Sequence, residues 1–222
     1  MKDGVDMAKK INNLTSKYAD YPGLVGRKMM LRYANQDWDY DVIHYIDETI
    51  RCMGRDSKMT RAEATHVLNY WKYLFQLAKG EKEDAMYHLK KSFKEGGPDA
   101  TAQYAYFYYT GEEIAKFENR KKAKKLFSEA LSQKSMFAEY LFAEAIMSND
   151  GDDLDIIKEA IPYYEAALKK GVIFARYKLA NCYLKAGVKL DAAEKLFQKC
   201  DEADAKAKIE EVKMKKNNKK KR

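Results

Sequence analysis

The segments FAEYLFAEAIM (residues 137–147) and FARYKLANCYL (residues 174–184) share the frame F-A-x-Y-x-(large)-A at an offset of 37 residues. The frame returns in weaker form 38 residues before the first copy, and again 38 residues before that. The shared columns are Ala62, Ala100, Ala138 and Ala175 (small), His66, Tyr104, Phe142 and Leu179 (large), Val67, Ala105, Ala143 and Ala180 (small), and Tyr70, Tyr108, Ile146 and Tyr183 (large). Spacings of four, one and three residues place these positions on one face of a helix.

A second helical pattern recurs in step with the first. The frame A-x-x-(large)-(aromatic)-x-x-(small) occurs at residues 123–130, 160–167 and 193–200, and more weakly at 85–92, where Leu89 takes the aromatic position. Two different helices that recur together every 33–38 residues are typical of a solenoid of helical hairpins. The alternative is a helical bundle whose periodicity arises by chance. We therefore predict an all-α fold, a right-handed α-α superhelix with about four hairpins over residues 60–200.

The small columns have a physical reason, because alanine lets the two backbones of a hairpin approach closely. The large residue beside each alanine then fills the groove toward the next hairpin. Turn signals fall between the patterns: Thr60–Glu63 reads as a capping box, and Gly96–Asp99 as a helix stop followed by a new start. Gly111, Gly171 and Gly187 follow periodic stretches, where a left-handed residue ends a helix.

Residues 165–187, EAALKKGVIFARYKLANCYLKAG, resemble the junction of two Sel-one-like repeats, relatives of the tetratricopeptide repeat with a longer, more variable loop. The resemblance covers residues 98–200, is weaker over 60–97, and rests on Tyr163, Tyr164, Ala166, Ala167, Gly171, Ala175, Leu179, Tyr183 and Gly187. His66 and Val67 depart from the leucine and alanine expected there. The resemblance implies that the first helix of each hairpin lines a concave surface on which a partner binds. Residues 1–59 are predicted to form N-terminal helices, either a divergent repeat or a cap, and residues 201–222 a capping helix with a basic tail.

The formal charge of +8 belongs mostly to that tail. Residues 203–222 hold nine Lys or Arg and three acids, a net of +6, which leaves +2 for the other 202 residues. A charged fraction of 34% with only three prolines fits long helices with wide solvated faces.

Nothing in the sequence predicts catalysis, a cofactor or a metal site. The three cysteines, Cys52, Cys182 and Cys200, fit neither a disulfide framework nor a zinc pattern. His44, His66 and His88 are interpreted as structural residues, and an enzyme would require them to converge in space. With no secretory signal and no segment of membrane-spanning length, we expect a cytoplasmic protein that does not enter a membrane.

The candidate binding residues lie on the predicted first helices. They are Trp71, Lys72, Tyr106, Tyr109, Tyr140, Glu144, Met147, Tyr177, Asn181, Leu184 and Lys185. One interpretation is a groove for a peptide or protein, in which aromatic side chains anchor the partner and a few polar side chains form hydrogen bonds to it. The other is that several of these rings pack between repeats. Asn181 with Lys185 also resembles, weakly, the peptide-carboxylate clamp of some tetratricopeptide domains.

The basic tail suggests an alternative function, which is association with nucleic acid. Its seven cations are Lys213, Lys215, Lys216, Lys219, Lys220, Lys221 and Arg222, with no acid among them. They could neutralise nucleic-acid phosphates, bind an acidic partner or act as a nuclear address, or they could simply be a solubilising helix end.

Overall fold

Every regular element in the described part of the chain is an α-helix. The computed structural model describes residues 61–113, 117–200 and 202–220, and within these residues it contains nine helices and no strand. The helices are α1 (Arg61–Ala78), α2 (Lys82–Lys94), α3 (Pro98–Thr110), α4 (Arg120–Ser132), α5 (Ala138–Met147), α6 (Leu154–Lys170), α7 (Ala175–Ala186), α8 (Leu190–Phe197) and α9 (Ala205–Lys220). None of these helices combines the length and the apolar content that crossing a bilayer requires. The predictions for residues 1–59, and those for Lys221 and Arg222, lie outside the described residues.

The chain divides into two units, residues 1–101 and residues 102–222, and the division falls within α3. In the first unit α1 packs on α2. In the second, α4 packs on α5 and each helix from α5 to α9 packs on the next along the chain. The all-α prediction is confirmed, and the packing of successive helices is consistent with a helical repeat. The right-handed superhelix stays a prediction.

The small-residue columns of the first helices are buried at equal depth. Ala105, Ala143 and Ala180 are each 0% exposed. The column that precedes them is also fully buried at Ala100, Ala138 and Ala175. The members on α1 are the exceptions: Ala62 is exposed and Val67 is half-buried, because both precede Leu68, where that helix becomes buried.

The columns of the second helices are buried in the same way. The alanines that open the frame, Ala85, Ala123, Ala160 and Ala193, are all 0% exposed. The aromatic position, held by Leu89, Phe127, Tyr164 and Phe197, is 0–2% exposed. Cys200, which closes the last copy, is only half-buried. In the second helices, the columns predicted from the sequence therefore match the burial pattern, except at Cys200.

The first unit has one very close helix approach, at Gly97. A Cβ atom on Gly97 would lie 2.5 Å from Ser92 Oγ and 3.0 Å from the Cβ of His66. The Ser92 hydroxyl donates a 2.7 Å hydrogen bond to the His66 carbonyl, which ties the end of α2 to α1. Glycine is thus required sterically in the predicted turn at residues 96–99.

Two of the second helices end in matching turns that use different residues. Gly171 ends α6 with φ of 96°, and Lys134, 37 residues earlier, follows α4 with φ of 59°. In each turn the next N–H bonds a carbonyl five residues back: Ser135 to Ala130 at 2.9 Å, and Val172 to Ala167 at 3.0 Å. Lys134 therefore occupies a left-handed position that favours glycine.

Lys134→Gly is expected to raise the free energy of unfolding by about 0.5–1 kcal/mol, since glycine removes the left-handed strain that a side chain carries there. The reciprocal change, Gly171→Lys, should lower it by about 1 kcal/mol or more. Urea denaturation followed by circular dichroism measures both. If Lys134→Gly were destabilising, the two turns would not be equivalent.

The last helix covers the end of the second unit. Val212 is 0% and Ala205 4% exposed, and α9 packs on α8. The helix extends from Ala205 to Lys220, and its role as a cap of the repeats stays a prediction. The basic segment is thus helical over most of its described length.

Candidate partner-binding face

Three first helices of the second unit present one residue at the same register position. Tyr106 on α3, Glu144 on α5 and Asn181 on α7 each follow directly after the buried alanine of the small column. All three are half-buried, so each side chain is anchored but remains accessible. We call these three residues the inner row.

Glu144 is the most strongly connected member of the inner row. Its carboxylate accepts a 2.5 Å hydrogen bond from the Tyr164 hydroxyl of α6, and it forms a 3.0 Å ion pair with Lys178 of α7. The side chain of Glu144 is 21% exposed and that of Lys178 is 49% exposed. One carboxylate therefore links three helices, and its pair with Lys178 lies at the surface.

Tyr106 lies within the electrostatic influence of Glu144. Burial raises the pKa of the Tyr106 hydroxyl, and the negative charges of Glu112 and Glu144 raise it further. The phenol is therefore neutral at physiological pH and can donate a hydrogen bond. Among the described residues its hydroxyl has no hydrogen-bond partner, which leaves this donor available.

Asn181 and Lys185 lie one turn apart on α7. The Asn181 amide donates to the Tyr177 carbonyl at 3.1 Å. Lys185 donates to the Gly151 carbonyl at 2.8 Å and to Asp152 at 2.6 Å, and this bond lowers the pKa of the Asp152 carboxyl. Lys185 already neutralises a carboxylate of its own chain, so any binding of a partner carboxylate at Lys185 would compete with that contact.

Tyr140 and Tyr177 are packing residues of their hairpins. The Tyr140 ring lies 6.2 Å from the Tyr164 ring, and the Tyr177 ring lies 5.7 Å from that of Phe197. The Tyr177 hydroxyl also donates a 2.5 Å hydrogen bond to Asp204. Both tyrosines are half-buried, so part of each side chain stays accessible.

Four other candidates are buried, which corrects their placement on an exposed surface. Trp71 is 1%, Leu184 2%, Lys72 6% and Tyr109 8% exposed. The Tyr109 hydroxyl accepts a hydrogen bond from Asn149, and the Arg120 guanidinium lies 4.9 Å from the Tyr109 ring centre. Periodicity assigned these residues to the correct helices but did not reveal that neighbours cover them.

Cys182 lies on α7 in the second unit, and His88 lies on α2 in the first. Burial raises the pKa of the Cys182 thiol to about 11, so the thiol is protonated and unreactive near neutral pH. His88 is held by a 2.8 Å hydrogen bond to Asn69. The described residues contain no group of three or more His, Cys, Asp or Glu side chains that could hold a metal ion.

Sequence reasoning did not identify Lys178 or Tyr164 as part of the face. Tyr164 was assigned to the aromatic column of the second helices, and Lys178 was not singled out. No sequence signal pairs either residue with Glu144, since the three lie on different helices and meet only in space.

Three cations of the tail have partners within the chain. Lys213 pairs with Glu210 at 2.7 Å, and Lys215 donates to the Leu184 carbonyl at 2.7 Å. Lys216 contacts the carboxylates of Asp191 and Glu194, both at 2.5 Å. The structure describes no side chain beyond Asn218, which leaves the placement of Lys219, Lys220, Lys221 and Arg222 as predictions.

Comparisons with models of protein families, with curated proteins and with solved structures found no match to this chain.

Proposed function

We propose that this chain is a non-catalytic scaffold that binds a peptide or protein segment along the inner row. One observation carries the proposal: successive first helices offer Tyr106, Glu144 and Asn181 at one register position, each anchored and partly accessible. A phenol, a carboxylate and an amide supply both donors and acceptors along one line. The resemblance to Sel-one-like repeats, which remains a prediction, is compatible with this use of the face.

The chemistry of the row suggests how a partner would be held. The Tyr106 ring offers an apolar surface with a free hydroxyl donor at its edge. At Glu144, a cationic group of the partner would take the place of Lys178, which is half exposed. Asn181 can donate to or accept from an extended main chain.

Photo-crosslinking from the inner row tests the proposal. A benzophenone amino acid is placed at Tyr106 or at Asn181 in the full chain, expressed in its native host. The expected result is one common partner at both positions. Tyr87 is the matched control, because it is an aromatic residue on α2 that is 63% exposed. An equally strong crosslink from Tyr87, or different partners from Tyr106 and Asn181, would refute binding along the row.

The alternative, nucleic-acid association through the tail, has less support. Of its seven cations, Lys213, Lys215 and Lys216 already contact the chain itself. The four terminal cations could still contact phosphates. Replacing those four with glutamine should then abolish a low-salt gel shift of RNA or DNA. A shift that survives the replacement would show that the tail is not the binding element.

A further inference from the structure

Positive charge is concentrated at the start of α4. Arg120, Lys121, Lys122, Lys124 and Lys125 give five cations in six positions, and the first turn contains no acid. Cations are disfavoured at the N-terminus of a helix, where the helix dipole is positive. The sequence therefore concentrates charge where it costs stability.

Two of these five cations have contacts within the chain. Arg120 pairs with Glu118 at 3.3 Å and donates to Asn149 at 2.7 Å. The Lys122 ammonium lies 3.9 Å from the Tyr108 ring centre and donates to its hydroxyl. Lys121, Lys124 and Lys125 are exposed, and in the described part of the chain none of them has an ion-pair or hydrogen-bond partner. Three positive charges thus face solvent within five residues.

An exposed aromatic side chain stands beside this charge. Phe117, three residues before α4, is 82% exposed, more than any other large apolar side chain in the described residues. Phenylalanine has no polar atom that benefits from contact with water, so covering its ring with an apolar side chain of a partner is favourable. Phe117, Lys121, Lys124 and Lys125 are together called the α4 patch.

Carboxylates limit the extent of the positive surface. Glu118 precedes α4 and Glu129 follows the cations along it. On the Arg120 side, Asn149 opens the acidic loop N-D-G-D-D that leads into α6. An extended phosphate backbone or a flat anionic membrane would meet these carboxylates as well as the lysines. A short acidic segment that spans only Phe117 and the lysines would meet just one of these carboxylates, that of Glu118, whose charge is already paired with Arg120.

We propose that the α4 patch binds a short acidic segment of a partner protein, with an apolar side chain of that segment packed on Phe117. Charge complementarity selects an anionic ligand, and the limited extent of the patch selects a short one. This surface is separate from the inner row and does not depend on it.

The test uses a fluorescein-labelled peptide of about nine residues, in which glutamates flank one central leucine. Its binding to the full chain is measured by fluorescence anisotropy at low salt. Lys121→Glu, Lys124→Glu and Lys125→Glu together should weaken binding by about tenfold or more. Phe117→Ala alone should weaken it by about threefold or more. The matched control replaces three exposed lysines on other second helices with glutamate, namely Lys90, Lys169 and Lys195. The change in net charge is the same, and the control should lose much less affinity for the peptide.

Folding is checked separately by thermal melting. The reversal at α4 should leave the chain at least as stable, because it places acids near a helix N-terminus. Tyr106→Ala should leave peptide binding unchanged, which separates this proposal from the inner row. The proposal is overturned if the peptide does not bind, or if the control reversal weakens binding equally. It is also overturned if a single-stranded RNA or anionic phosphatidylserine vesicles bind the α4 patch more tightly than the peptide does.

Discussion

Replacing Phe127 with alanine should lower the free energy of unfolding by about 3–5 kcal/mol. The Phe127 side chain is 2% exposed, and its ring lies 4.8 Å from that of Phe142. Phe142 in turn meets Tyr163 at 4.7 Å, so the three rings join α4, α5 and α6. Truncation would leave a cavity where three helices meet, and the loss should exceed that from removing the apolar surface alone.

Urea denaturation followed by circular dichroism measures this loss. The control is Tyr87→Ala, which removes a ring that is 63% exposed and should change stability by less than about 0.5 kcal/mol. Equal losses in the two variants would mean that Phe127 does not lie at a helix junction.

Enlarging the alanine columns should be the next most damaging change. Ala105→Leu and Ala180→Leu are each expected to cost about 1–3 kcal/mol, because both positions are 0% exposed and have no room for added carbons. Ala207→Leu is the control. Ala207 lies on α9 and is exposed, so a leucine side chain there would extend into solvent. Thermal melts of the three variants decide the matter: unchanged melting of both column variants would contradict the packing role of these alanines.

The fold could be predicted from sequence because small and large residues must alternate for helices to pack closely. That requirement acts on every copy, so Ala143 and Ala180 occupy the same column and the same depth. The prediction failed at Ala62, in the first turn of α1, where the column position is exposed. The register of a repeat is therefore least informative at the end of a helix.

The candidate face could be predicted only in part. Periodicity identified the helix face, and Tyr106, Glu144 and Asn181 do share one position. Periodicity could not reveal which neighbours cover a ring, and the burial of Trp71 and Tyr109 depends on such contacts. The position of a residue on a helix determines the direction of its side chain. Whether that side chain is exposed depends on the neighbouring helices and loops.

The sequence shows where the charged residues lie along the chain, but it does not show which of them pair with one another in the folded protein. Outside residues 203–222 the net charge is only +2. That near-neutral sum hides two segments of opposite charge, the basic start of α4 and the acidic loop before α6. Conversely, Lys213, Lys215 and Lys216 of the tail contact other residues of the chain, so part of the tail's positive charge is compensated locally.

The central claim is that one partner segment runs along the inner row. Its most direct test is to map, by mass spectrometry, the residues of the partner that crosslink to Tyr106 and to Asn181. If one segment binds along the inner row, both crosslinks fall within one continuous stretch of the partner, with the Tyr106 site and the Asn181 site at opposite ends. Crosslinks to separate surfaces of the partner, or to unrelated proteins, would contradict it.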